Sequence, residues 1–258
     1  MEFENKLKTK LRAGKKTAGA WVQLASPFTA EILSQAGFDW LMLDMEHAPG
    51  ELLTLVSQVM AMKGTDCTPL VRAPWNDFVI IKRILDAGAQ GVLIPYVNSL
   101  AEAEQAVRAC KYPLAGVRGV AASPRAVGYG QNHGHYLQRA NDQIFIMTAV
   151  ETPEAIENLD EILSVDGLDG IFIGPMDLAS SMGYFGDASQ KEVQDAIRII
   201  EGKVLNAGKI LATTTGSWEQ AQKLFERGYH MLMLMADGGA LAALAAQKVA
   251  QFRQSYPA

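Results

Sequence analysis

Ile144-Phe145-Ile146-Met147-Thr148-Ala149-Val150-Glu151 and Ile171-Phe172-Ile173-Gly174-Pro175-Met176-Asp177 are two short apolar runs, each closed by a carboxylate, and those carboxylates stand 26 residues apart. Runs that are apolar at successive positions suit strands covered on both faces, as in parallel sheets. Between them, residues 153–163 repeat their apolar positions at helical spacing. Successive strands of an alternating strand/helix chain are parallel, so their C-terminal ends lie side by side. Glu151 and Asp177 are therefore expected as neighbours at the open end of a sheet. Two carboxylates in one site repel unless a cation lies between them, and oxygen ligands suit hard divalent ions. The pattern points to a metal-dependent enzyme.

The same alternation extends in both directions. Strands are expected near 18–25, 39–46, 68–74, 91–97, 144–151, 169–177, 209–214 and 230–237, with helices near 28–36, 50–62, 77–87, 99–110, 153–163, 189–207, 217–227 and 238–254. Eight strand/helix pairs in 258 residues fit an α/β chain folded as one (β/α)8 TIM barrel domain spanning 1–258. A doubly wound open sheet is the alternative; the count of eight and the lack of a GxGxxG turn weigh against it. Residues 112–143 interrupt the rhythm with Gly, Pro, Arg, Asn and His and no sustained period. Such a stretch is expected to be functional or ordered by a partner.

Apolar residues make up 49% of the chain, enough for a large core, and the net charge of -5 argues against nucleic acid or an anionic membrane as partner. No apolar run is long enough to span a bilayer, and the first residues lack a signal-peptide core. Cys67 and Cys110 form neither a metal motif nor a disulfide framework, so a reducing cytoplasm is expected.

Barrel active sites form at strand C-terminal ends. Those positions carry Asp44, Glu46 and His47 after strand two, Arg72 after strand three, Glu151 after strand five and Asp177 after strand six. An Asp at a strand end is often only a helix cap, and a lone Arg only an ion-pair partner; the joint occurrence is what signals a site. Charge assigns roles. Glu151 and Asp177 are expected to hold a divalent cation. Arg72, always protonated, suits a developing negative charge. Histidine is the side chain whose ordinary range lies near neutrality, so His47 is the candidate base. Together these groups suit enolate chemistry on a 2-oxo acid. If Gly174-Pro175-Met176-Asp177-Leu178 opens a helix, its backbone N–H groups face a small anion such as a carboxylate; otherwise it is a tight turn.

Weaker signals are Asp237-Gly238-Gly239 before the last helix, which has no basic neighbour and reads equally as a helix cap, and the His133/His135 pair, expected on a polar surface loop. No lysine falls at a strand's C-terminal end, which disfavours a Schiff-base mechanism.

Phe38-Asp39-Trp40-Leu41-Met42-Leu43-Asp44-Met45-Glu46-His47-Ala48-Pro49, Tyr112-Pro113-Leu114-Ala115-Gly116-Val117-Arg118-Gly119 and Gly167-Leu168-Asp169-Gly170-Ile171-Phe172-Ile173-Gly174-Pro175-Met176-Asp177-Leu178 resemble the HpcH/HpaI aldolases, class II pyruvate aldolases. The resemblance runs over nearly the whole chain. It implies a (β/α)8 barrel lyase that cleaves a 4-hydroxy-2-oxo acid to pyruvate and an aldehyde. It also implies a hexamer built as a trimer of dimers, with Mg2+, Mn2+ or Co2+ as cofactor. It implies His47 as base, Arg72 as transition-state stabiliser, Glu151 and Asp177 as metal ligands, and backbone contacts from Met176 and Asp177 to the substrate carboxylate, in the turn that Gly174 opens. Asp86 matches the family aspartate that raises the histidine's basicity, and Arg125 lies in a family-like Ser-Pro-Arg-Ala context. Asp86 is expected at the bottom of its own barrel, so both it and Arg125 are expected to serve a neighbouring chain. Two departures stand out: Ala149 occupies the place of a family glutamine that contacts the pyruvyl group, and Met45 that of a glycine.

Two other readings compete. A related barrel lyase on acyl-CoA thioesters needs a basic patch that the rim lacks. A non-catalytic oligomeric protein that binds metal or oxo acid fits the loss of the glutamine at Ala149.

Overall fold

The computed structural model describes residues 3–257. Eight parallel strands close into a barrel in sequence order: β1 (Thr17–Val22), β2 (Trp40–Asp44), β3 (Thr68–Arg72), β4 (Gly91–Ile94), β5 (Phe145–Val150), β6 (Gly170–Ile173), β7 (Ile210–Thr214) and β8 (Met231–Ala236), with β8 pairing back to β1. The helices are α1 (Lys6–Arg12), α2 (Pro27–Gln35), α3 (Leu52–Ala61), α4 (Phe78–Asp86), α5 (Leu100–Cys110), α6 (His133–Gln143), α7 (Pro153–Glu157), α8 (Leu159–Leu163), α9 (Pro175–Ser181), α10 (Lys191–Asn206), α11 (Trp218–Glu226) and α12 (Asp237–Ser255). No described helix is long and apolar enough to cross a membrane.

Two apolar clusters follow from the period-two alternation of strand side chains. Outward residues such as Leu41, Leu43, Val92, Ile146, Ile171 and Ile173 pack against the helices. Inward residues, among them Trp40, Met42, Leu70, Leu93, Met147, Phe172, Met231 and Met233, fill the barrel. Leu7 and Leu11 of α1 belong to that inner cluster and close the end at which the strands begin. There Lys8 Nζ binds Asp169 Oδ2 at 2.9 Å, and Asn5 Nδ2 donates to the carbonyls of Gln90 and Gln143.

The strands are shorter than their apolar runs. The sixth, expected over 169–177, stops at Ile173. Gly174 caps α9, and Pro175, which has no N–H to give a sheet, takes the first helical turn. The interruption over 112–143 also contracts. It ends in a short 3-10 turn (Arg125–Val127) and α6, so His133 and His135 lie on a helix and not on the expected loop. Only Tyr136, Ala140 and Gln143 of α6 are buried, a seam too narrow to register as a helical period. Asp237 is no phosphate cradle: its carboxylate accepts from the N–H groups of Gln23, Leu24 and Gly238 and from Thr29 Oγ1.

The last helix is different from the others. In α12 only Asp237 is buried, and Leu241, Leu244, Val249 and Phe252 stand in solvent. Neighbouring α2 exposes Phe28 and Ile32, and α11 exposes Trp218.

Candidate active site

The inward alternation turns polar at the barrel's C-terminal end. Met42 is followed two residues on by Asp44, Leu70 by Arg72, Ala149 by Glu151 and Trp21 by Gln23. The four polar residues thus form a layer above the apolar filling. Asp44 and Arg72 are register partners across β2 and β3, and their side chains meet in a fork: Arg72 Nε donates to Asp44 Oδ1 at 3.0 Å and Nη2 to Oδ2 at 2.6 Å. Gln23 Nε2 donates to the same Oδ2 at 3.0 Å. Asp44 Oδ1 also accepts from the N–H groups of Glu46 and His47, which fixes the turn that presents both side chains. Burial alone would push the Asp44 carboxyl up, but the Arg72 guanidinium and the other donors more than reverse this and hold it below the ordinary range.

Arg72 lies over the Trp21 ring, 4.3 Å from its centroid, and Trp21 meets Phe172 edge-on at 6.0 Å. Trp21 and Phe172 therefore supply an aromatic part of the floor under the polar layer. Arg72 Nη1 reaches to 3.1 Å from Glu46 Oε2, at ion-pair distance but outside hydrogen-bond alignment, so this buried oxygen has no hydrogen-bond partner. The same oxygen is 3.8 Å from His47 Nε2, and His47 itself is exposed to solvent.

Glu151 is buried, and Gly174 shows how tightly. A Cβ at Gly174 would fall 2.7 Å from both Cγ and Oε1 of Glu151, so only glycine permits this side chain to lie against the β6 turn. Glu151 Oε2 accepts from the N–H of Tyr96 at 3.2 Å, and Ser181 Oγ binds the Glu151 carbonyl at 2.7 Å. Burial, with Asp177 and Glu46 adding like charge, pushes the Glu151 carboxyl up to about 7. Burial also raises the Glu46 carboxyl, with Asp44 and Asp177 contributing and Arg72 opposing. Asp177 lies half-buried in the first turn of α9, and Met176 beside it is exposed.

Glu46, His47, Arg72, Ala149, Glu151, Gly174, Met176 and Asp177 thus share one rim. Ala149 sits under Glu151, buried in the inner cluster and in register with Phe172. Asp86 and Arg125 lie elsewhere in the chain. Asp86 ends α4, where Arg118 Nη2 binds its Oδ1 at 2.7 Å; the buried Arg118 also stacks 4.5 Å from the Tyr112 centroid. Arg125 donates to the carbonyls of Ala87 and Val59, at the C-terminal ends of α4 and α3. Trp21, Gln23 and Tyr96 carry no signal of their own in the sequence. Extending the inward alternation of β1, and applying the strand-end rule to β4, would have found them.

Among the described residues, no set of three His, Cys, Asp or Glu side chains forms a closed metal site. Two carboxylates do fit a hard cation that keeps open positions for water and substrate oxygens. The Glu151 carboxyl, raised by burial and further by the like charge of Asp177 and Glu46, is a group whose ionised form a cation would favour.

A parallel eight-stranded barrel with acids, an arginine and a histidine on its C-terminal rim defines a barrel enzyme. The chain belongs to the HpcH/HpaI aldolase/citrate lyase family, whose pattern it matches over residues 17–243. It is 41% identical over 250 residues to a 4-hydroxy-2-oxo-heptane-1,7-dioate aldolase of Escherichia coli, covering 97% of this chain and 95% of that one. It is also 41% identical over 248 residues to a 5-keto-4-deoxy-D-glucarate aldolase of Escherichia coli O139:H28, covering 96% of each. The crystal structure of an HpcH/HpaI aldolase/citrate lyase family protein from Burkholderia cenocepacia J2315 superposes with a TM-score of 0.93 at 34% identity, covering 96% of this chain and 99% of that one.

Proposed function

We propose that the protein is a class II aldehyde-lyase that reversibly cleaves a 4-hydroxy-2-oxo acid to pyruvate and an aldehyde, using a divalent cation (Mg2+, Mn2+ or Co2+) held by Glu151 and Asp177. The observation that carries this reading is the Arg72 guanidinium, locked by Asp44 at the rim beside two further acids. The 2-oxo acid substrates named for the aldolase relatives support it.

A cation at Glu151 and Asp177 supplies Lewis acidity to the oxo acid. The chain's own groups do the rest. The substrate carboxylate faces the N–H groups at the start of α9, near Met176 and Asp177. Cleavage breaks the C3–C4 bond as the 4-hydroxyl proton leaves for His47, and the electron pair moves onto the pyruvyl half. Negative charge then grows on the pyruvyl oxygen, and the N–H groups of Arg72 not held by Asp44 stabilise it. The fork fixes the guanidinium beforehand, so little reorganisation accompanies the reaction. Protonation at C3 releases pyruvate. The acyl-CoA reading has no support at the rim, where the one guanidinium is buried and paired.

Assembly as a hexamer is part of the proposal. The solvent-facing apolar side chains of α12, and those of α2 and α11, are what a second copy would cover. Cytoplasmic location accords with two free, buried thiols.

The test follows pyruvate methyl protons exchanging into D2O by NMR, with pyruvate release from 4-hydroxy-2-oxo acids measured in parallel. Both are expected to need added Mg2+, Mn2+ or Co2+ and to stop with chelator. Full activity in excess chelator, or borohydride trapping of a covalent adduct, would overturn the metal mechanism.

A further inference from the structure

Tyr96 holds an unusual place at the rim. It follows β4 with φ at +50°, a conformation rarely adopted by a residue with a large side chain. In this conformation the Tyr96 N–H is bound to Glu151 Oε2 at 3.2 Å. The backbone of Tyr96 is thereby tied to the catalytic carboxylate while its ring points outward, half in solvent. Trp75, three residues beyond Arg72, lies beside it with the ring centroids 6.0 Å apart and the planes 31° from parallel. Trp75 is 56% exposed and Tyr96 37%. Two aromatic faces therefore stand at the mouth between β3 and β4, packed against each other and otherwise uncovered in this chain.

The charges around that mouth have one sign. Asp44, Glu46, Glu151 and Asp177 face the site against the single cation Arg72, which Asp44 and Glu46 already engage. None of the seven segments that join a strand to the next helix contains a lysine or arginine, and β8 runs directly into α12. A divalent cation and the carboxylate of the oxo acid largely offset each other with Glu151 and Asp177, which leaves no positive charge on this chain's own rim for a second carboxylate. An acceptor with an anionic far end would give up hydration without finding a partner. An aromatic ring would instead find two exposed, uncharged aromatic side chains to pack against.

We infer that Trp75 and Tyr96 form the acceptor subsite, and that the aldehyde half of the substrate is an uncharged aromatic aldehyde. This rests on the retro-aldol reading and narrows it. In the synthetic direction, C3 of pyruvate loses one proton to the base and forms a bond to the aldehyde carbon. The resulting alkoxide takes up one proton, so the step is redox-neutral and gives a 4-aryl-4-hydroxy-2-oxobutanoate.

The experiment compares aldol addition of pyruvate to benzaldehyde and to succinate semialdehyde by the Mn2+-loaded native enzyme, with pyruvate methyl-proton exchange as a control that needs no acceptor. The expected result is exchange together with a kcat/KM at least tenfold higher for benzaldehyde. Exchange with equal or better use of succinate semialdehyde overturns the acceptor assignment and leaves the aldolase reading standing. Absence of exchange sinks the aldolase reading itself. Two variants sharpen the result, each checked for native Tm. Trp75→Ala is expected to raise KM for benzaldehyde about tenfold with little change in kcat. Tyr96→Arg is expected to shift preference toward succinate semialdehyde. If neither variant changes the ratio between the two aldehydes, the aromatic pair is not the subsite.

Discussion

Asp44 and Arg72 are paired twice, once as register neighbours on β2 and β3 and again through a two-bond fork between their side chains. The backbone places the carboxylate opposite the guanidinium before any substrate arrives. The Asp44 side chain is fully buried, and its charge depends on Arg72.

Arg72→Ala therefore damages two properties together. It removes a transition-state donor, and it leaves a buried carboxylate unpaired, which typically costs about 3–5 kcal/mol of stability. Arg72→Lys separates them. A lysine keeps a positive charge near Asp44 but cannot form the fork. Its expected result is a modest loss in Tm with kcat lowered about 10²–10³-fold. Near-native kcat in a folded Arg72→Lys protein would reduce Arg72 to a structural partner of Asp44.

The Glu151 carboxyl gives a pH prediction. Burial and like charge raise it from an ordinary 4.5 to about 7 in the folded protein. Between those values the metal-free fold keeps a proton that the unfolded chain has released. The contribution to stability is thus complete below about pH 4.5, falls as pH rises, and is gone above about 7. A tenfold change in proton affinity is worth about 1.4 kcal/mol, so the contribution amounts to a few kcal/mol at most. In chelator, Tm is expected to fall from pH 5 to 8. Saturating Mn2+, which favours the ionised carboxylate, should flatten or reverse that slope, and Glu151→Gln should flatten it without metal. A chelated protein whose Tm is level across this range would show that Glu151 is not held protonated by its surroundings.

The barrel was readable because apolar runs buried on both faces recur with helical segments between them. The rim was readable because strand ends such as Arg72 and Glu151 sit where period-two alternation changes from apolar to polar. What escaped has physical reasons. Helix α1 is seven residues long and only Leu7, Lys8 and Leu11 of it are buried, so its apolar signal is slight although it plugs the barrel. Helix α6 is mostly polar. Tyr96 reaches the site through its backbone N–H, which no side-chain pattern reports. The Asp44–Arg72 fork depends on register, which spacing along the chain does not specify. The exposure of α12 along its length was hidden because its local sequence is an ordinary helix; in the fold only Asp237 of it is buried.

The remaining prediction concerns Asp86. In its own chain it ends α4 with Oδ1 on the buried Arg118, while its side chain stays partly exposed. Arg118 holds the carboxylate in place without enclosing it. An acid fixed this way can serve a base on another surface, and the exposed apolar side chains of α12 provide a means of bringing a second copy close. If Asp86 supports His47 of a neighbouring chain, His47→Ala and Asp86→Ala proteins are each nearly inactive alone. Mixed under conditions that exchange subunits, they should regain activity, because some sites then combine an intact His47 with an intact Asp86. Arg118→Met should lower kcat in the same direction as Asp86→Ala, since the carboxylate loses its anchor. No recovery after mass spectrometry confirms mixed oligomers would remove Asp86 from the site and leave Glu46, 3.8 Å from His47 Nε2, as the carboxylate that supports the base.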